Sequence, residues 1–186
     1  PAGRTRGCLL RSTPETSRRL RSQIRESPDS PGRFKTAALT GCCCALGALV
    51  ANADDATIAA LERFGHELGL AFQCVDDLIG IWGDPGVTGK PVGNDLARRK
   101  ATLPVVAALN SRSEAATELA ALYQAPAAMT ASDVERATAL VKVAGGGHVA
   151  QRCADERIQA AIAALPDAVR SPDLIALSQL ICRREC

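Results

Sequence analysis

The run Phe72-Gln73-Cys74-Val75-Asp76-Asp77-Leu78-Ile79-Gly80-Ile81-Trp82-Gly83-Asp84 sets an amide and three acids into an otherwise apolar stretch. On a helix turning about 100° per residue, with Gln73 as zero, Asp76 falls at about −60°, Asp77 at about +40°, Gly80 at about −20° and Asp84 at about +20°. One polar stripe therefore runs along a helix that is otherwise buried. Three acids on such a stripe are costly unless a cation or water compensates them. Hard divalent ions such as Mg²⁺ take carboxylate oxygens, keep several waters and bridge to phosphates. Asp76, Asp77 and Asp84 are the candidate ligands. The segment that follows supplies the opposite sign in Lys90, Arg98, Arg99 and Lys100, with Asp95 between them. Both signs of charge at one helix end suit a diphosphate held through metal. Metal ions and ammonium groups neutralise the charge that develops as a diphosphate bond breaks.

Other patterns carry less. Gly83 to Gly89-Lys90 imitates a phosphate loop, but the spacing is one residue too long and Pro91 stands where Ser or Thr must bind the metal. No Ser-His-Asp arrangement is readable. His66 and Glu67 read as surface or packing groups, Trp82 as a packing group at a helix end, and Gly145-Gly146-Gly147 as a helix break. Eight cysteines are present, three of them consecutive (Cys42, Cys43, Cys44). No Cys-x-x-Cys pair exists and the only histidines are His66 and His148, so zinc spacing is absent. The thiols read as reduced packing residues in a cytoplasmic protein.

The elements that must position the acidic stripe are helical. Of 186 residues, 47% are apolar but only 3% aromatic, and Ala and Leu dominate, which favours helices over strands. Residues 35–51 read as a helix apolar nearly all round, implying burial on every side. Residues 36–53 carry no charge, yet they are Ala, Gly, Cys and Thr with few large side chains, so a core helix is expected and not a membrane span. Asn52-Ala53-Asp54-Asp55 is a turn, with Asp54 or Asp55 as cap of the next helix. That helix runs from about Ala56 to about Trp82, its buried stripe marked by Leu61, Phe64, Leu68, Ala71, Val75, Leu78 and Ile79. A long loop follows, then a helix opening at Leu103-Pro104. Further helices fit 113–124, 131–144, 147–164 and 173–183, with Ser132 and Asp133 as caps for one of them and Gly145-Gly146-Gly147 separating the next pair. Residues 1–33 hold eight Arg against Glu15, Glu26 and Asp29, a net of +5, with little aliphatic content. They read as a basic, disordered leader. The overall charge of +2 gives no argument for nucleic acid.

The stripe and its sequel resemble the second aspartate-rich motif of the trans-isoprenyl diphosphate synthases, the polyprenyl synthetase family. The matching residues are Phe72-Gln73, Asp76-Asp77, Gly89-Lys90-Pro91, Asp95-Leu96 and Lys100-Ala101-Thr102-Leu103-Pro104, with Lys35-Thr36 upstream. The resemblance covers residue 34 to the C-terminus, the C-terminal half of such a synthase, and sets residues 1–33 apart from it. It implies an all-α, isoprenoid-synthase-type helical bundle, incomplete, that condenses an allylic diphosphate with isopentenyl diphosphate in a Mg²⁺-dependent, head-to-tail reaction. By match to the family, Asp76 would ligate Mg²⁺ with Asp77 in the same cluster. Lys35, Lys90 and Lys100 would hold the allylic diphosphate, and Thr36 and Gln73 would turn oxygens toward the developing cation. The family pairs as homodimers. Two departures stand out. Gly80 occupies the place of the motif's third acid, for which Asp84 is a substitute, and the family's first aspartate-rich motif is missing. The chain is therefore expected to be weakly active or inactive alone. The alternatives are a non-catalytic helical remnant or partner subunit, and a terpene cyclase relative.

Overall fold

A computed structural model describes residues 31–89 and 91–182, without the side chains of residues 31–34, 88, 181 and 182. The basic leader expected at 1–33 falls almost wholly outside the described residues, and so does Lys90. Among the described residues nine α-helices follow one another and no strand occurs. They are α1 (Pro31–Val50), α2 (Asp55–Trp82), α3 (Pro85–Thr88), α4 (Asn94–Ala97), α5 (Leu103–Asn110), α6 (Glu114–Gln124), α7 (Ala131–Val143), α8 (Gly146–Ala164) and α9 (Pro172–Cys182). The long loop expected after α2 is thus broken by two single-turn helices. No described helix is long and apolar enough to cross a membrane.

Helix α2 is the axis. Its start is set by Asp54, whose Oδ1 accepts the Thr57 N–H at 2.7 Å, satisfying a donor that the first turn leaves free. Its end is set by Gly83, whose backbone turns to an extended conformation before Pro85. In the stripe expected to be buried, Phe64, Ala71, Val75 and Leu78 are buried and Leu61, Leu68 and Ile79 are partly so.

Helix α1 runs antiparallel to α2 along a seam of small residues. A side chain on Gly69 would lie 2.6 Å from the Ala37 Cα, and one on Gly65 would lie 2.7 Å from the Cys44 Sγ. Both distances are below any tolerable contact, so the two backbones approach only because these positions lack a Cβ. The other side of α1 is open. Leu39, Leu46, Leu49 and Val50 are each more than half exposed, Val50 reaching 81%. The expectation of burial on every side is corrected here: among the described residues α1 has one neighbour of substance, α2, and that neighbour covers one face.

On the opposite flank α8 packs along α2, where Cys74, Val75 and Ala154 form a small core. Past Trp82 a larger core gathers Ile81, Leu96, Val105, Leu109, Leu119 and Val141 from α2 and α4 to α7. Trp82 itself lies against Gly147, as its place at a helix end suggested. The cap of α7 is Thr130, in a reciprocal pair with Asp133, and not Ser132 or Asp133 alone. Gly145, at a positive φ of 79°, forms the break before α8.

Candidate active site

The acid face of α2 opens on a cavity of about 60 Å³ lined by Asp76, Ile79, Gly80, Pro91, Asn94, Asp95 and Lys100. Asp76 is exposed at its rim. Asp95 is 6% exposed and comes from α4, on the segment after the helix. The Lys100 Nζ meets the Asp95 Oδ1 at 2.5 Å, and the Lys100 N–H also donates to the Asp95 carbonyl at 2.9 Å. The Tyr123 hydroxyl donates to the Lys100 carbonyl at 3.4 Å. Burial, and then the nearby Asp95 charge, keep that phenol protonated far above the ordinary range.

Gly80 explains why Asp95 fits. A Cβ at residue 80 would run into the Asp95 carboxylate, with Cγ only 2.7 Å away. The carboxylate of Asp95 thus lies against the position where the motif has its third acid. Asp84 stands off the stripe. Helix α2 stops two residues before it, so the stripe never reaches it, and the Asp84 Oδ1 instead accepts the Gly86 N–H at 2.7 Å as the cap of α3.

Asp77 points elsewhere as well. One residue on from Asp76, it is rotated by about 100° and is only 7% exposed. Its Oδ2 accepts the Leu103 N–H at 2.9 Å. A carboxylate there satisfies a free amide in the first turn of α5 and complements the positive end of that helix. Asp77 is therefore a bond between α2 and α5, outside the cavity that Asp76 lines.

Lys35 is exposed and Thr36 half-buried, both in the first turns of α1. The contacts of Ala37 with Gly69 and of Thr40 with Gly65 and Gly69 set an antiparallel register. That register brings Lys35 and Thr36 opposite Leu70 and Ala71, within one turn of the half-buried Gln73. The basic segment does not converge as a whole. Arg98 is exposed, and the Arg99 Nη2 donates to the Ala127 carbonyl at 2.5 Å, away from the cavity. Asn94 at the cavity and Tyr123 on the Lys100 carbonyl carry no signal in the sequence. Asp95 stands inside the motif but is remote from the acidic stripe in sequence, so the stripe alone does not mark it as a ligand.

A hard divalent ion is the group this donor set would have to suit. Among the described residues, no three His, Cys, Asp or Glu side chains converge as a metal cluster. Two acidic residues, Asp76 and Asp95, and Asn94 border one cavity. At about 15 Å³ per water, 60 Å³ has room for about four waters or a hydrated ion. Mg²⁺ is commonly held by one or two carboxylates, with waters and substrate phosphates completing its shell. The residues fit that ion.

Fold and motif together define a class, and the model of the polyprenyl synthetase family matches residues 30–141. The chain belongs to that family, with its all-α isoprenoid-synthase fold. It is 86% identical over 184 residues to a geranylgeranyl diphosphate synthase of Mycobacterium tuberculosis, a match covering 99% of this chain and 51% of that relative. The aligned span takes in nearly all of residues 1–33, which the motifs alone set apart from the family. Among solved structures, a polyprenyl synthetase from Streptomyces coelicolor A3(2) superposes with a TM-score of 0.74 at 39% identity, over 79% of this chain and 46% of that one. A geranylgeranyl pyrophosphate synthase from Corynebacterium glutamicum, complexed with isoprenyl diphosphate and magnesium, gives 0.71 at 29% identity, over 92% and 53%. The chain thus spans about half the length of these relatives.

Proposed function

We propose that this chain carries the diphosphate-binding half of a Mg²⁺-dependent prenyltransferase, which condenses an allylic diphosphate with isopentenyl diphosphate head to tail. The observation that carries this reading is the cavity where Asp76, Asp95 and Lys100 meet on the acid face of α2. Geranylgeranyl diphosphate is the product suggested by the relative of 86% identity. Asp76 and Asp95 would hold the ion, which when bound supplies a Lewis acid to the departing diphosphate. Asp77 and Asp84 serve this reading as a bond to α5 and a cap of α3.

The chain's own residues do the rest. Lys100, with Lys35 and Lys90, neutralises the diphosphate as its carbon–oxygen bond lengthens. Thr36 and Gln73 turn oxygens toward the allylic carbons, where positive charge grows. The reading leaves pairing of two copies with the family, as the resemblance implies, and does not extend it to this half-length chain. It includes a cytoplasmic setting, in keeping with five unbridged cysteines among the described residues.

The test is calorimetric. Inorganic pyrophosphate with Mg²⁺ is expected to bind the 186-residue chain weakly, and Asp76→Ala is expected to abolish the heat. Unchanged binding by that variant would remove the site assignment. Labelled isopentenyl diphosphate separates the finer alternatives. Little incorporation is expected from this chain alone, since one aspartate-rich motif is missing from its sequence. Robust incorporation would show that the site is complete without it. Diphosphate release from an allylic substrate alone would favour the cyclase reading, and absence of any binding would favour a non-catalytic one.

A further inference from the structure

Two thiols face each other across the seam between α2 and α8. The Cys74 Sγ lies 3.4 Å from the Cys153 Sγ, although 79 residues separate them in sequence. Neither is in a disulfide. Cys74 is 2% exposed, while Cys153 is partly open to solvent. A disulfide holds its sulfurs about 2.0 Å apart, so closure from 3.4 Å asks for about 1.4 Å of movement shared by two side chains.

Arg157 provides a second observation. It stands one turn after Cys153 on α8, where its Nη1 donates to the Glu67 Oε2 at 3.0 Å. Its guanidinium is held above the ordinary range by that Glu67 bond first, against an opposing effect of burial, and also by the neighbouring Cys153. A fixed positive charge beside a thiol favours the thiolate, which is the reactive form.

We infer that Cys74 and Cys153 are an oxidative modification site, joined reversibly as a disulfide when the chain meets a peroxide. The Cys153 thiolate attacks the O–O bond of hydrogen peroxide. The sulfur takes one oxygen as a sulfenic acid, and the other leaves as water after protonation. The Cys74 sulfur then attacks the sulfenic sulfur. The S–S bond forms, the S–O bond breaks, and the departing hydroxide takes the Cys74 proton as a second water. Two thiols are oxidised to one disulfide and one peroxide is reduced to two waters. The new bond pins the turn of α2 that carries Gln73 and Asp76 onto α8. This inference stands apart from the proposed function, because it needs only the two sulfurs and the charge beside them.

The reduced 186-residue chain is treated with hydrogen peroxide, quenched with N-ethylmaleimide and digested without reductant. The expected product is a peptide pair linked through Cys74 and Cys153 that dithiothreitol separates. A rise in Tm on the order of 5 °C should accompany it. Cys42 and Cys43, exposed on α1, will oxidise too. The triple variant Cys42→Ser, Cys43→Ser, Cys44→Ser should lose their products and keep the link. Maleimide on both Cys74 and Cys153 after oxidation would overturn the inference. So would a dimedone adduct at Cys153 with Cys74 still a thiol.

Discussion

Asp77 acts through a backbone amide. With its Oδ2 on the Leu103 N–H, it couples the acid-bearing helix to the start of α5, and so to the segment that brings Lys100 to Asp95. Removing the acceptor leaves a poorly solvated N–H. Asp77→Ala is expected to cost about 1–3 kcal/mol in denaturant unfolding, and Asp77→Asn, which keeps an acceptor oxygen, much less. If the asparagine variant instead loses pyrophosphate binding as Asp76→Ala does, Asp77 is a ligand after all. Two exposed acids contribute to the response to pH. Hydrogen bonds from Thr57 hold the Asp54 carboxyl below its ordinary range, and those from Thr130 do the same for Asp133. A depressed folded pKa gives stability that is present above the ordinary carboxylate range and is lost as pH falls through the folded value. Helix content followed by circular dichroism should therefore fall at pH below about 4, and Asp133→Asn should flatten part of that loss.

At the scale of elements, α1 and α2 meet where Gly65 and Gly69 allow backbone contact. Gly65→Ala would drive a methyl into the backbone of Thr40 and is expected to destabilise the chain by about 2 kcal/mol in urea unfolding. An unchanged midpoint would mean that the seam can open at no cost. The helices themselves were legible from period and caps. Leu61 to Ile79 repeat at steps of three and four, Pro104 marks the first turn of α5, and Gly145 marks a break. The seam was harder to read, since glycines inside a helix look like weak points until a partner helix is seen in their place. The site divided in the same way. Asp76 and Lys100 were readable as charge within a motif. The parting of Asp76 from Asp77 was not, because both lie near one stripe on an ideal helical wheel and only the position of α5 decides which acid turns toward it. Asp84 stands off the stripe because of the helix end: Gly83 and Pro85 stop α2 before the stripe reaches it. Asp95 needed the fold, since its carboxylate approaches Gly80 from another element.

For the whole molecule, the distribution of apolar surface is the governing fact. Leu39, Leu46, Leu49 and Val50 stand out from α1, and the chain covers only 46% and 53% of the two solved relatives. A contiguous apolar face of this kind is adhesive in water. The isolated chain should bind a hydrophobic dye and scatter light increasingly with concentration. The double variant Leu46→Glu, Leu49→Lys should reduce both without moving the circular dichroism spectrum. Equal dye binding by this variant would show that the adhesive surface is elsewhere.

The glycine seam has one more consequence, for the order of assembly. Helices α1 and α2 are consecutive, joined by the four residues 51–54, so their docking closes a short loop at small entropic cost. On a ribosome this hairpin emerges ahead of α8 and can zip before α8 exists to flank it. The axis on which the acids are mounted is thus ready as a nucleus when the later helices arrive.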